Sequence, residues 1–263
     1  MNNKPELTYD TIRRMEDMTW FTHAQIFDDL LIVAQRETAC FIWKTSAGLV
    51  VIDGIWPDER AYREILAAIR ETGWDNEITK FVITHGHIDH VGCAWWLKKY
   101  HPIRVYLSEA DDGLRRSTPA EPGRSDNWKE FDVDCYIADG DVIDCGDKQL
   151  RIISTPGHTA GSMSLIFPVH ENGERHYACL FGGATAPWGD AEGRAQQRQS
   201  LLKFKQAAAD AHADVALTNH TAFDAGAQRI AYSRARLSYM PNIYLLGEAG
   251  VQKFCEAFLS VAQ

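Results

Sequence analysis

Several kinds of pattern are missing from this chain of 263 residues, and each absence removes a class of function. No run of Lys or Arg is long enough to form a basic stripe, and the formal net charge is −9. A nucleic-acid partner is therefore disfavoured. No stretch reaches membrane-spanning length, and the start Met1-Asn2-Asn3-Lys4-Pro5-Glu6 lacks an apolar signal core. With Met1 as the natural start, the expectation is a cytoplasmic protein without a membrane partner. Cysteine never occurs as a C-x-x-C pair. Cys40, Cys93, Cys135, Cys145, Cys179 and Cys255 stand apart, several within apolar runs, which suits reduced packing residues better than disulfides. Charged residues make up 24% and hydrophobic ones 45%, so neither disorder nor a coiled coil is indicated. A chain of this size buries a large core, and a single domain over residues 1–263 is expected, with 1–28 as an N-terminal extension packed on it.

What is present is concentrated in Phe81-Val82-Ile83-Thr84-His85-Gly86-His87-Ile88-Asp89-His90. Three apolar residues and a threonine read as the end of a buried strand. Three histidines and an aspartate follow within six positions, and Val91–Tyr100 has helical character. Imidazole and carboxylate are ligands that Zn²⁺ accepts, and Gly86 lets the backbone turn sharply enough for neighbours to converge. H-x-H-x-D-H is far denser than a polar surface loop requires, and it sits where α/β folds place their sites.

Upstream, Leu30–Gln35, Ala39–Lys44 and Leu49–Ile52 are short apolar runs that predict an antiparallel strand meander, closed by Asp53-Gly54. The segment before Asp28 is mixed, with Trp20, Phe21 and Phe27 as aromatics that tuck against the body. Tyr62, Ile65, Leu66 and Ile69 stand at helical spacing in Asp58–Glu71, which ends at Gly73. Downstream of the histidine loop, Pro102 stops the helix and Ile103–Leu107 is a strand. Residues 111–130, with Pro119, Pro122, Gly123 and Trp128, predict an irregular excursion, equally an inert surface loop or a lid. Further strands are expected at Cys135–Ile137, Gln149–Ser154, Ser164–Phe167, Tyr177–Phe181 and Val215–Thr218. Helices are expected at Ala195–Ala211 and from Glu248 onward. Strand meanders feeding into helices, twice over, predict an α/β chain folded as a four-layer sandwich: helices, sheet, sheet, helices.

Three segments share one grammar. Phe-Val-Ile-Thr84 runs into His85; Leu150 to Thr155 runs into Pro156-Gly157-His158; Val215-Ala-Leu-Thr-Asn219 runs into His220. If these strands exit one core at one edge, His85, His87, Asp89, His90, His158 and His220 meet at a single rim. Three ligands and a water suit one catalytic zinc, and six suit two. Asp53 is a candidate partner for a ligand histidine and equally a turn residue. Thr185 is a candidate hydroxyl for a substrate carboxylate or a simple turn residue. Trp56 and Trp188 are aromatics of a pocket wall or of the core. His23, His101, His170, His176 and His212 show no ligand spacing.

These motifs resemble the metallo-β-lactamase superfamily, whose signature is H-x-H-x-D-H followed by distant metal ligands. The likeness runs from Leu30 to His220 and includes Leu49-Val-Val-Ile-Asp53-Gly54, Thr155-Pro-Gly-His-Thr-Ala-Gly-Ser162 and Leu217-Thr-Asn-His220. It implies an αββα sandwich with the site at the sheet edges. One departure stands out: Phe181-Gly182-Gly183-Ala184-Thr185-Ala186-Pro187 occupies the place where many superfamily thioesterases and lactonases carry a metal-bridging aspartate. The cysteine of two subclasses of true metallo-β-lactamases is missing there as well. The remaining subclass uses two zinc ions held by His and Asp alone, and by this resemblance His85, His87 and His158 hold the first zinc while Asp89, His90 and His220 hold the second. The implied activity is hydrolysis of an amide or lactam carbonyl of a small molecule by water activated between the metals, with Asp89 orienting the nucleophile. Lactone or thioester hydrolysis, an iron-dependent persulfide dioxygenase and a non-catalytic metal-binding protein are the alternatives.

Overall fold

The computed structural model describes residues 21–117, 127–185 and 190–261. Its first sheet has seven strands in chain order: β1 (Phe21–Phe27), β2 (Leu30–Gln35), β3 (Thr38–Thr45), β4 (Gly48–Ile52), β5 (Ile78–Val82), β6 (Arg104–Leu107) and β7 (Cys135–Tyr136). β1 to β4 form an antiparallel meander, whereas β4 to β7 run parallel. Parallel neighbours need crossovers, and helices supply them. α1 (Glu59–Glu71) links β4 to β5, α2 (Ile88–Val91) and α3 (Ala94–Tyr100) link β5 to β6, and α4 (Glu109–Ser117) follows β6. The second sheet holds β8 (Val142–Asp144), β9 (Gln149–Ser154), β10 (Met163–Glu171), β11 (Glu174–Phe181) and β12 (Val215–Thr218), in the order β12-β11-β10-β9-β8. β12 is parallel to β11 across α5 (Ala191–Asp210), and α6 (Gly226–Ala235) and α7 (Gly247–Val261) complete the described chain.

Side-chain alternation builds the layers. All six residues of β2 are buried, because both faces of its sheet are covered. Leu30, Ile32 and Ala34 point into the core between the sheets, where Leu165, Phe167 and Val169 of β10 meet them. Leu31 and Val33 point the other way, onto Tyr62, Ile65 and Ile69 of α1 and Leu97 of α3. On the far side, Cys179 and Phe181 of β11 pack with Leu201 and Phe204 of α5 and with Val251 and Phe258 of α7. Three cores separate four layers, the αββα sandwich.

Three readings of the sequence need correction. Phe21–Phe27 is an edge strand of the first sheet, not part of an extension ending at residue 28; residues 1–20, with Trp20, lie outside the described residues. The helix expected over 91–100 is two helices, broken where a Cβ on Gly92 would stand 2.0 Å from the Ile55 carbonyl oxygen. Residues 109–117 are helical, so the excursion expected from 111 begins with an ordered turn of α4. Pro119, Pro122 and Gly123 lie outside the described residues. β8 and α6, which the apolar pattern does not announce, are additions.

Candidate metal centre

The carboxyl ends of β4, β5, β9 and β12 open on one edge of the sandwich, and each is followed by a residue of the site. This is where open α/β sheets bind ligands. β5 runs into Thr84 and His85, both fully buried. Gly86 then turns the chain, and one helical turn, α2, brings Asp89 and His90 back toward His85. The His85 and His90 rings lie with centroids 4.0 Å apart.

Two groups of donors result: His85, His87 and His158, and Asp89, His90 and His220. In the first, His158 Nε2 lies 3.1 Å from His85 Nε2 and 3.0 Å from His87 Nδ1. The outer hydrogen bonds decide where the protons sit. His158 Nδ1 is 2.8 Å from the Thr185 carbonyl oxygen, so it carries the hydrogen and Nε2 keeps the lone pair. His85 Nδ1 is 3.0 Å from Thr84 Oγ1, whose own hydrogen goes to Asp53 Oδ2 at 2.9 Å. Thus His85 also presents a lone pair from Nε2. Two acceptors at 3.1 Å repel unless a cation lies between them, and a tetrahedral ion with bonds of about 2.0–2.1 Å sets its ligand atoms about 3.3 Å apart. The donor set fits a divalent metal.

The second group follows the same logic. His90 Nδ1 donates to Asp53 Oδ2 at 2.9 Å, which leaves Nε2 as an acceptor 3.1 Å from His220 Nε2. Asp89 Oδ2 is 3.6 Å from His90 Nε2 and 4.0 Å from His220 Nε2. Beneath both groups, Asp53 is fully buried in a left-handed backbone conformation (φ 59°). Its Oδ1 accepts from Thr84 N (2.8 Å), and its Oδ2 also accepts from Asn219 Nδ2 (3.0 Å). A strained backbone held by four donors from three residues, Thr84, His90 and Asn219, is what a preset site demands.

Burial keeps most of these imidazoles neutral. It is the main reason His158 falls to about 3 and His220 to about 4, with nearby imidazoles adding to the effect. His85 and His87 are lowered chiefly by burial too. For His90 burial is outweighed by the carboxylates of Asp89 and Asp53, which raise it. Asp89, against its own burial, is pulled down to about 2 by His90, His220 and His87. Neutral imidazole and ionised carboxylate are the forms that bind metal.

All six expected ligands and Asp53 are thus gathered at one rim. Thr185 is exposed, and its carbonyl and hydroxyl both face His158 Nδ1. Trp56 is buried, and Trp188, Ala186 and Pro187 lie outside the described residues. His23, His101, His170, His176 and His212 pair elsewhere, with Glu71, Tyr62, Asp29, Asp214 and Glu248. Sequence reasoning missed two contributors. Thr38, buried at the start of β3, donates from Oγ1 to Asp89 Oδ2 at 3.3 Å. Asp111, buried in the first turn of α4, accepts from both loops of the first group. Neither has a sequence signal, because each contact spans dozens of residues.

A two-sheet sandwich with paired His/Asp groups at its strand ends defines a class of metal-binding α/β proteins. The model of the metallo-beta-lactamase superfamily matches residues 35–171, and the chain belongs to that superfamily. Among relatives, a hydroxyacylglutathione hydrolase of Mesorhizobium japonicum is 36% identical over 104 residues, covering 40% of this chain and 34% of that protein. The hydroxyacylglutathione hydrolase GloC of Haemophilus influenzae is 28% identical over 142 residues, 51% of this chain and 63% of that one. This chain therefore spans about a third of the first of these relatives. Among solved structures, BJP-1, a subclass B3 metallo-beta-lactamase of Bradyrhizobium japonicum, superposes with a TM-score of 0.74 at 24% identity, over 91% of both chains. The FEZ-1 metallo-beta-lactamase of Legionella gormanii does so at 0.75 and 18%, over 92% of this chain and 94% of that one. No helix among the described residues is long and apolar enough to cross a membrane.

Proposed function

We propose that this chain is a di-zinc hydrolase that cleaves the carbonyl of an amide or lactam, of the β-lactam type, in a small-molecule substrate. The observation that carries the reading is the pair of donor groups in which the outer nitrogens of His85, His158 and His90 are committed to hydrogen bonds, so that their inner lone pairs face the other donors. His85, His87 and His158 would hold one ion, and Asp89, His90 and His220 the other. Bound there, zinc ions supply a water acidic enough to ionise near neutral pH and a Lewis acid for the carbonyl oxygen.

The chain's own groups do the rest. Asp89 stays ionised and accepts a hydrogen bond from Thr38, so it would also orient the attacking water. Asp53 holds His90 in the tautomer that leaves Nε2 free. Gly183 supports the choice of an all-His/Asp donor set, because a side chain there would stand against His158. Thioester hydrolysis is the second reading, favoured by the identity to the hydroxyacylglutathione hydrolases.

The test is metal content per chain together with turnover of a chromogenic cephalosporin and a panel of thioesters and lactones. The expected result is two zinc ions and lactam hydrolysis, with His87→Ala losing metal and turnover together while the circular dichroism spectrum is kept. Full turnover after exhaustive chelation rules the proposal out, and thioester turnover alone transfers the assignment to the second reading.

A further inference from the structure

We infer that Asp111 is a positioning residue that splints the two loops of the first donor group and so sets the metal affinity of His85, His87 and His158; this rests on the metal reading above. The group is assembled from two places: the loop after β5 and the loop between β9 and β10. Asp111 joins them from a third, the first turn of α4. Its Oδ2 accepts the Gly86 N–H at 2.7 Å and the Thr159 hydroxyl at 2.7 Å, and its Oδ1 accepts the Gly161 N–H at 2.9 Å. Gly86 lies between His85 and His87, and Thr159 follows His158, so one carboxylate sets the spacing of all three imidazoles.

The approach is built from both sides. A Cβ on Gly86 would stand 2.5 Å from the Asp111 carbonyl oxygen, and a Cβ on Gly161 would stand 2.1 Å from Ser108 Oγ and 2.5 Å from Asp111 Oδ1. Either side chain would push its loop away. The charge is the second part of the argument. Asp111 is 1% exposed and makes no ion pair among the described residues; only neutral N–H and O–H groups face it. A buried carboxylate without a cation is costly. A divalent ion held by His85, His87 and His158 would supply the missing charge. Asp53 lies beneath both groups, bonded to His90 directly and to His85 through Thr84, whereas Asp111 bonds only to the loops of the first.

Asp111→Asn keeps the shape, removes the charge and turns an amide N–H against at least one of the three donors. Zinc affinity is measured by chelator competition in the full chain, in a His220→Ala background for the first group and a His158→Ala background for the second. The expected result is affinity about 10–100-fold weaker in the first background and changed less than about twofold in the second. The visible spectrum of the cobalt-loaded first group shifts with it. Unchanged affinity in the first background, or equal losses in both, overturns the inference. If His220→Ala alone binds no zinc, the metal reading fails and this inference falls with it, a result distinct from the other two. Should Asp111→Asn not fold, Thr159→Val removes one of the three bonds while Thr159→Ser keeps it. Weakened zinc binding in the first variant only supports the splint, and identical binding in both overturns it.

Discussion

His90 Nδ1 and Asp53 Oδ2 face each other across 2.9 Å, with neither side chain exposed at all. Asp53 also satisfies the Thr84 amide, the Thr84 hydroxyl and the Asn219 amide. Asp53→Ala therefore orphans four buried donors in one step. Removing one partner of a buried pair costs about 3–5 kcal/mol. Urea unfolding of the metal-free protein should show a loss of that order, and the zinc-loaded protein should retain less metal in the second group. A loss below about 1 kcal/mol would mean that His90 and Asn219 find other acceptors, and that Asp53 is not the hub of the site.

Thr38 acts on the opposite side of the second group. Its hydroxyl is the donor from β3 to Asp89 Oδ2, at 3.3 Å. Thr38→Val keeps the volume and removes the donor, so Asp89 is free to rotate away from the position that orients water. A hydrogen bond to a charged group contributes about 1.5 kcal/mol, which corresponds to a roughly tenfold lower kcat. KM should move much less, and Thr38→Ser should restore turnover. An unchanged kcat in Thr38→Val would remove Thr38 from the account.

The parts of this centre that were legible in the sequence are those written locally. His85-Gly-His87-Ile-Asp89-His90 carries four donors in six residues, and the strand-to-histidine pattern repeats at His158 and His220, so strand exits and ligands could be read together. Asp53 stood at the end of an apolar run and was visible as one of two options. Thr38 and Asp111 were not legible. Their contacts with Asp89 and Gly86 cross 51 and 25 positions, and nothing in a threonine that opens a strand or in an Asp-Asp pair before a loop marks such a contact. In the fold, strands buried on both faces read clearly as apolar runs. β1 did not, because an edge strand that is half open to solvent mixes His23 and Gln25 with its apolar residues.

Acid should unfold the metal-free protein through its imidazoles. His158 sits near 3 and His220 near 4, and His85 and His87 are lowered as well, whereas an unfolded histidine takes its proton near 6.5. Below that pH the unfolded chain binds more protons than the folded one, so stability from these four groups is complete above about 6.5 and declines as pH falls. His90 works in reverse: its raised pKa stabilises below 6.5 and that contribution is lost as pH rises through the folded value. Four lowered groups outweigh one raised one. Asp89 adds its own loss only below about 3.8, as pH falls toward 2. After chelation, the thermal midpoint should fall steadily from pH 7 to pH 4.5, and His158→Ala should flatten the slope. A level profile would mean that the imidazoles are not held neutral by burial.

Gly183 decides whether a bridging carboxylate can be added to this centre. Many thioesterases and lactonases of the superfamily carry an aspartate where this chain has glycine, so Gly183→Asp looks like a route to their ligand set. The backbone argues against it. A Cβ at 183 would stand 2.6 Å from His158 Cβ and 3.2 Å from its Cγ, and the Gly183 carbonyl is itself held by Gln197 Nε2 at 2.8 Å from α5. The chain cannot retreat without breaking that bond, so His158 must move, and with it a ligand of the first group. The expected result for Gly183→Asp is zinc content reduced toward one ion per chain, lower lactam turnover and no gain on thioesters. Retention of both ions with a rise in thioester hydrolysis would show that the His158 loop yields easily, and that a glycine rather than a fixed geometry separates this centre from the aspartate-bridged ones.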